Sequence, residues 1–325
     1  MELIRDCFSL QRAYAGAALT IGNFDGVHVG HQRILATVVE SASRASGGDR
    51  RSVVFTFEPH PEAILHPDRA PERLMTFERK LELLAAAGID VVICPDGPLG
   101  VLALPPEDFV RRIIVEAVGA GLVIEGPNFV FGRRAAGNDE LLRRLGRQLG
   151  FELLVVPPVI MDELEVSSTR IRQLIRAGRL GEANRMLGRP FEFVGRVVHG
   201  RHHGHELGYP TVNLSGGDFL IPADGVYAGW AVLAAAPGGQ DEGPFAAAVS
   251  VGRAATFGEL PQPVVEAYLM DFQGDLYGRQ VRLQFVEWLR GQRVFQSAEA
   301  LVAQVGCDCR QAREVLAGRA RPSPA

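Results

Sequence analysis

Two histidines three residues apart, His28 and His31, are the residues whose spacing most directly offers chemistry in this chain. They sit in the segment GNFDGVHVGH (22–31), where the strand-like AALTI (17–21) gives way to a helical pattern over 31–45. Three apart at a helix start, both imidazoles face the same side of the first turn. The helix N-terminus adds oriented N–H groups and partial positive charge. Gly22 and Gly26 permit tight turns and close backbone approach. Together these make a compact anion site at the carboxyl end of the first strand, with imidazoles as donors to a phosphate. An isolated H-x-x-H is more often a pair of surface histidines. The preceding G-x-F-D-G and the position at the first strand-to-helix turn favour the site. The sequence contains no G-x-x-x-x-G-K-[ST] loop and no G-x-G-x-x-G after a strand, so phosphate binding has to come through this pair.

Four further segments could act with it or beside it. FEPHP (57–61) ends a strand at two prolines flanking His60, which presets a rigid loop. GPNFVFG (126–132) offers glycines for backbone approach and the Asn128 amide as a hydrogen-bonding group. VSSTRIR (166–172) places Ser167, Ser168 and Thr169 at a helix start, as an ordinary N-cap would, with Arg170 and Arg172 one turn in. In LGYPTVNL (207–214), Thr211 and Asn213 alternate onto one side of a strand as two oxygen ligands suited to a hard cation such as Mg²⁺. Pro210 in that strand context predicts an edge or a bulge.

Two kinds of scaffold must position these groups. From residue 17 to about 185, apolar strand runs alternate with helical patterns: SVVFTF (52–57), FERKLELLAAAG (77–88), IDVVIC (89–94), PPEDFVRRIIVEAVG (105–119), LVIEG (122–126), a helix near 138–149 and FELLVV (151–156). That alternation predicts a parallel sheet covered on both faces. After Gly188 strand signals dominate, at 191–199, 225–234, 245–251, 264–272 and 279–288, and predict a small antiparallel barrel. Segments 297–305 and 308–317 read as helical.

The chain has 325 residues, 47% of them hydrophobic and 22% charged, which predicts two ordinary globular domains. The net charge is −4 and no long basic run occurs, so general nucleic-acid or anionic-membrane binding has no electrostatic support. Cys7, Cys94, Cys307 and Cys309 contain no C-x-x-C and read as thiols in a reducing compartment. With neither an apolar leader nor a transmembrane-length run, the expectation is a cytoplasmic protein without a membrane partner. A homo-oligomer is left open. The cluster His199, His202, His203 and His205 reads as a solvated loop near phosphate rather than a metal site, because no carboxylate or thiolate is spaced to complete it.

GNFDGVHVGH resembles the H-x-G-H signature of the nucleotidyltransferase superfamily. With FEPHP, GPNFVFG, SSTRIR, LGYPTVN, GVYAGW (225–230), VEAYLMDF (265–272) and VEWLRGQRVF (286–295) in order, the chain resembles the prokaryotic bifunctional riboflavin kinase/FAD synthetase family over roughly residues 15–317. The resemblance implies an α/β nucleotidyltransferase domain with a Rossmann-like parallel sheet over 1–185. A small antiparallel β-barrel kinase domain with a C-terminal helix would then occupy 186–325. It implies ATP and Mg²⁺ as cofactors, with FMN and FAD as substrate and product. Riboflavin would be phosphorylated to FMN, and FMN adenylylated to FAD with release of pyrophosphate. By the same resemblance Gly22, Asn23, Asp25, His28, His31, Ser168, Thr169 and Arg172 hold ATP, with His28, His31 and Arg172 offsetting charge on the reacting phosphates. Glu266 is the kinase base, Thr211 and Asn213 hold the metal, and His60, Asn128 and Arg290 serve the flavin, Arg290 in a structural or contact role. The chain departs from the family at Gly204-His205-Glu206, where Gly-Arg is usual, at Val212 and at Ala255. Those departures keep two alternatives open: an adenylyltransferase whose barrel only binds flavin, and a non-catalytic flavin-binding regulator. A pantothenate- or nicotinamide-type nucleotidyltransferase would share H-x-G-H but lack the barrel motifs.

Overall fold

The computed structural model describes residues 1–44, 50–199, 209–234, 240–252 and 263–321. The chain divides into two compact units, Met1–Pro71 with Thr76–Ser167, and Glu72–Met75 with Ser168–Ala325.

The first unit is built on six parallel strands: β1 (Glu2–Ile4), β2 (Ala18–Ile21), β3 (Ser52–Phe55), β4 (Val91–Ile93), β5 (Leu122–Glu125) and β6 (Glu152–Val155). Their order is β1-β4-β3-β2-β5-β6. Every residue of β2, β3 and β4 is buried. Strands covered on both faces read as unbroken apolar runs, which is why the sequence shows them clearly. The strands are connected through α1 (Val29–Ser43), α2 (Pro61–Leu65), α3 (Phe77–Ala86), α4 (Leu99–Leu102), α5 (Pro106–Phe109) and α6 (Asp139–Leu149). Helix α5 runs on as a π-helical stretch over Val110–Val118, whose Ile113 and Ile114 join Leu19, Val53, Phe55 and Val123 in one core cluster. Thr76 and Asn138 cap α3 and α6 with their side-chain oxygens, each accepting a backbone N–H three residues on. A short hairpin of β7 (Ile160–Met161) and β8 (Leu164–Glu165) follows.

Strand β1 is absent from the sequence reading. Its three residues are too few to show a period, and only the pairing Glu2↔Val91, Leu3↔Val92, Ile4↔Ile93 makes it a strand. From β2 the connections run to β3 and β4 on one side, and then to β5 and β6 on the other. The direction therefore reverses between β2 and β5, the point at which open α/β sheets form a ligand crevice beyond the strand ends.

The second unit begins with α7 (Ser168–Arg176) and α8 (Leu180–Leu187). Six antiparallel strands follow: β9 (Phe191–Val198), β10 (Thr211–Ser215), β11 (Gly225–Leu233), β12 (Glu242–Gly252), β13 (Val264–Leu269) and β14 (Gln280–Arg290). They close into a barrel in the order β10-β13-β12-β11-β14-β9. Phe191, Phe193, Tyr227 and Phe285 are among its fully buried side chains. On α8, Asn184 accepts the Phe191 N–H at 2.8 Å and donates to the Phe285 carbonyl at 2.9 Å, fastening α8 to β9 and β14.

Helix α9 (Ala298–Ala317) covers part of the barrel exterior, where Ala228 and Trp230 cluster with Cys309, Ala312 and Leu316. Strand β11 is consequently buried at all nine positions and reads as a continuous apolar run, whereas β13 alternates. The helical segments 297–305 and 308–317 belong to the one helix α9, with Gly306 accommodated inside it. A Cβ there would lie 3.0 Å from the Tyr209 hydroxyl, so a close approach explains the glycine and no break is needed. Pro210 marks neither an edge nor a bulge: the barrel is closed, and Pro210 stands just before Thr211, where no ladder N–H is required. Among the described residues no helix is long and apolar enough to cross a membrane.

One ion pair locks α9 to the end of β14. Arg290 donates to both oxygens of Asp308 at 2.8 and 2.6 Å, and Gln304 donates to Asp308 at 2.9 Å. The two side chains are 12% and 3% exposed. Removing one partner strands a buried charge, so Asp308→Ala is expected to cost about 3–5 kcal/mol, whereas Arg290→Met with Asp308→Leu costs far less. Urea unfolding of both variants measures the difference, and equal losses would mean that the pair is not effectively buried.

Candidate functional site

The GNFDGVHVGH segment leaves the end of β2 and enters α1 through a turn that the backbone does not make cheaply. Phe24, Gly26 and Val27 all have positive φ, of 49, 88 and 37°. For a β-branched residue such as Val27 that conformation carries a cost on the order of 1–3 kcal/mol. Two bonds to β3 and the residue after it hold the turn: the Gly22 N–H donates to the Phe55 carbonyl at 3.0 Å, and the Thr56 hydroxyl donates to the Asn23 carbonyl at 3.3 Å. Asp25 is 7% exposed and His28 is 5% exposed.

His28 is the N-cap of α1, its Nδ1 accepting the His31 backbone N–H at 3.2 Å. A ring nitrogen that accepts carries no proton, so the His28 proton is fixed at Nε2, where it can be donated to a ligand. The two imidazoles stack with centroids 3.6 Å apart and 17° between planes. Phe24 meets His31 edge-on at 5.1 Å. Gly30 makes the stack possible: a Cβ at that position would lie 3.1 Å from His28 Cε1 and Nδ1. The glycine between the histidines is therefore as much part of the motif as they are.

The FEPHP loop meets this turn. His60 caps α2, its Nδ1 accepting the Glu62 N–H at 3.1 Å, and its Nε2 lies 3.0 Å from the end of the Asn23 amide. The Asn23 atom that meets His60 there is its amide nitrogen, Nδ2. Lys80, the only lysine in the chain, fixes the loop from below. It is 5% exposed on α3, donates to the Phe57 carbonyl at 3.3 Å, and lies 3.6 Å from the Glu58 carboxylate. Sequence reasoning missed it, although a lone lysine in a chain otherwise using arginine was a usable signal. Asn128, exposed and at φ 63°, makes the turn after β5.

Ser168, Thr169 and Arg172 lie on α7, in the second unit. Arg172 is 6% exposed and its Nε donates to the Glu72 carbonyl at 2.7 Å, while Arg176 pairs with the Glu72 carboxylate.

The barrel gathers the kinase candidates on its outer face. Thr211 and Asn213 share one face of β10, both half-buried. Asn213 stands directly opposite Glu266 on β13, and Glu266 stands opposite Ser250 on β12. Asn213, Glu266 and Ser250 thus form a row across three strands, with Thr211 one step along beside Tyr268. Hydroxyl, amide and carboxylate oxygens in such a row fit a hard divalent cation. Ser250 and the Gln292 that donates to it at 2.9 Å were missed, because strand pairing, not local sequence, brings them there. Arg290 is committed to Asp308 and to the Gly291 carbonyl at 2.9 Å, which favours its structural role over flavin contact. Val212 lies within β10, while Arg201, His202, His203, Gly204, His205, Glu206 and Ala255 lie outside the described residues.

The FAD synthetase family model matches residues 10–170 and the riboflavin kinase family model matches residues 187–316. The bifunctional riboflavin kinase/FMN adenylyltransferase of Pseudomonas fluorescens is 34% identical over 98% of this chain and 98% of its own. The chain belongs to the bifunctional riboflavin kinase/FMN adenylyltransferase family. The Escherichia coli K12 member is likewise 34% identical, over 99% of this chain and 100% of its own. The solved structure of a protein described as a macrolide-efflux protein from Streptococcus pneumoniae covers 96% of this chain and 99% of that one, at 29% identity and a TM-score of 0.81. Family membership thus covers both units, and the histidine stack lies in the part matched as FAD synthetase.

The FAD synthetase part also holds a buried acid. The Glu125 carboxyl, at the end of β5, accepts the Ile21 N–H at 2.7 Å and is 2% exposed. Burial pushes it well above its ordinary value of 4.5, the Ile21 N–H pulls it back, and the charge of Asp139 pushes it up again. The folded chain keeps a proton that the unfolded chain has lost, so stability from this group is full below pH 4.5 and falls as the pH rises toward the folded value. Glu125→Gln removes that dependence. Its urea midpoint, compared with wild type, is expected to gain more at about pH 8 than at about pH 5. An equal difference at both would mean that Glu125 ionises in the fold as it does when unfolded.

The double duty of His28 gives a second expectation. His28→Ala loses the cap and is destabilised by about 1 kcal/mol, while His28→Asn keeps a capping oxygen and stays near wild-type stability. Thermal unfolding separates the two, and equal melting temperatures would refute the cap.

Proposed function

We propose that the chain makes FAD from riboflavin in two ATP-dependent steps, phosphorylation on the barrel and adenylyl transfer in the α/β unit. The observation that carries this reading is that both family domains coincide with a built arrangement of the expected residue types: the stacked His28–His31 pair, and the row Asn213–Glu266–Ser250. In the first step Glu266 takes the proton of the riboflavin 5′-hydroxyl as that oxygen bonds to the γ-phosphorus, and the bond to the ADP oxygen breaks. The oxygens of Thr211 and Asn213 would hold Mg²⁺, which would supply charge neutralisation at the ATP phosphates.

In the second step a phosphate oxygen of FMN bonds to the α-phosphorus of ATP and pyrophosphate leaves. His28 donates from Nε2 and His31 from the ring stacked on it, offsetting charge as it moves onto the leaving group. Gly22, Asn23 and Asp25 shape the turn that carries them. His60 and Asn128 are the flavin-side groups. Ser168, Thr169 and Arg172 enter this reading through their family motif, as phosphate-binding residues. Positioning and electrostatics suffice, and no covalent enzyme intermediate is required. The substrates are small cytoplasmic molecules, so neither nucleic acid nor a membrane is needed as partner.

Incubation with riboflavin, ATP and Mg²⁺, followed by chromatography, should yield both FMN and FAD. His31→Ala is expected to abolish FAD while sparing FMN, and Glu266→Gln to abolish FMN while FAD still forms from supplied FMN. Loss of both activities in either variant would contradict two separate sites.

A further inference from the structure

Strands β2 and β5 are neighbours inside the parallel sheet, yet their ladder has only two pairs, Ala18↔Leu122 and Leu19↔Val123. On its other edge β2 stays paired with β3 as far as Ile21↔Phe55, and β5 stays paired with β6 as far as Glu125↔Val155. β2 and β5 therefore part over their last residues while each remains attached to its other neighbour. Backbone N–H groups alternate between the two edges of a strand. The Gly22 N–H goes to Phe55 of β3, so that of Ile21 faces the gap toward β5. The β2–β5 ladder ends before it. The Glu125 side chain does, with Oε1 at 2.7 Å, while the Glu125 carbonyl is held by the Val156 N–H at 2.8 Å. A side chain has taken the place of a ladder acceptor at the crevice.

We propose that Glu125 is a positioning residue for adenylyl transfer, a spacer across the parted ends of β2 and β5 that sets where the Gly22–His31 turn stands. The proposal rests on the reading that this turn holds ATP. Ile21 is the last residue before the turn, so whatever fixes its N–H fixes the start of the phosphate-binding segment. The turn also has three residues at positive φ, and its placement relies on the anchors at its ends. Held neutral by its surroundings, the acid offers an acceptor without bringing a negative charge to a site for phosphate.

The test measures FMN adenylylation by the full chain with FMN, ATP and Mg²⁺, alongside riboflavin phosphorylation in the same preparations. Glu125→Leu keeps similar bulk and removes the acceptor. It is expected to lower kcat for FAD formation by on the order of 10–100-fold, with a smaller change in KM for FMN and unchanged riboflavin phosphorylation. Glu125→Gln keeps an acceptor oxygen and is expected to stay within about threefold of the wild-type kcat. Should Glu125→Leu lose its native circular dichroism, Glu125→Asp, one methylene too short to reach Ile21, is expected to show the same kcat loss. A wild-type kcat in the folded Leu variant, or in the Asp variant, would overturn the proposal. So would a Gln variant as slow as the Leu variant, because the carboxyl would then act by charge or proton transfer. His31→Ala run in parallel keeps the two readings apart: if it still forms FAD, the placement of ATP at this turn is wrong, whatever Glu125 does.

Discussion

Between β2 and β5 the parallel ladder stops after two pairs, and the arrangement of the first unit follows from that parting. A closed ladder would seal the carboxyl ends of these two strands. An open one leaves an edge N–H that must be satisfied in a buried setting, where an unmet donor costs about 1–3 kcal/mol. Glu125 satisfies it at the expense of burying a carboxyl, and the sheet keeps an opening at its point of reversal. The turn out of β2, the histidine stack and the FEPHP loop are then assembled along one rim, fastened to one another through Asn23, Thr56 and His60.

The barrel meets the same need differently. Its ladder is closed, so backbone groups are satisfied among its strands and the interior is filled by Phe191, Phe193, Tyr227 and Phe285. Chemistry is left to the outer face, where cross-strand register does the work of a loop. Asn213, Glu266 and Ser250 are far apart in sequence and adjacent only because β10, β13 and β12 pair as they do.

What the sequence reveals and what it hides divide along that line. The α/β architecture was readable because buried parallel strands leave apolar runs and helices leave a period, and the histidine pair was readable because it is local. Thr211 and Asn213 were readable as one face of one strand. Ser250 was not, since nothing near it in the chain marks it as the cross-strand neighbour of Glu266. Glu125 looked like a polar end to an apolar strand, and its partner Ile21 is a hundred residues away. Gly306 within α9 is explained only by a tertiary contact, the Tyr209 hydroxyl pressed against it. Arg290 was readable only as structural or flavin-contacting, because its partner Asp308 on α9 is a tertiary contact.

The burial of Lys80 has a consequence for the character of the surface. With the chain's only lysine enclosed under the FEPHP loop, every exposed cationic side chain that does not depend on pH near neutrality is a guanidinium. Guanidinium stays charged throughout the range proteins experience and engages carboxylates in fixed, forked geometry. The outside of this molecule therefore offers no side-chain amine to acylating agents, aldehydes or lysine-modifying enzymes. The one side-chain amine it owns is a strut inside the fold, reachable only when that fold opens, so that acylation at Lys80 reports opening rather than surface chemistry.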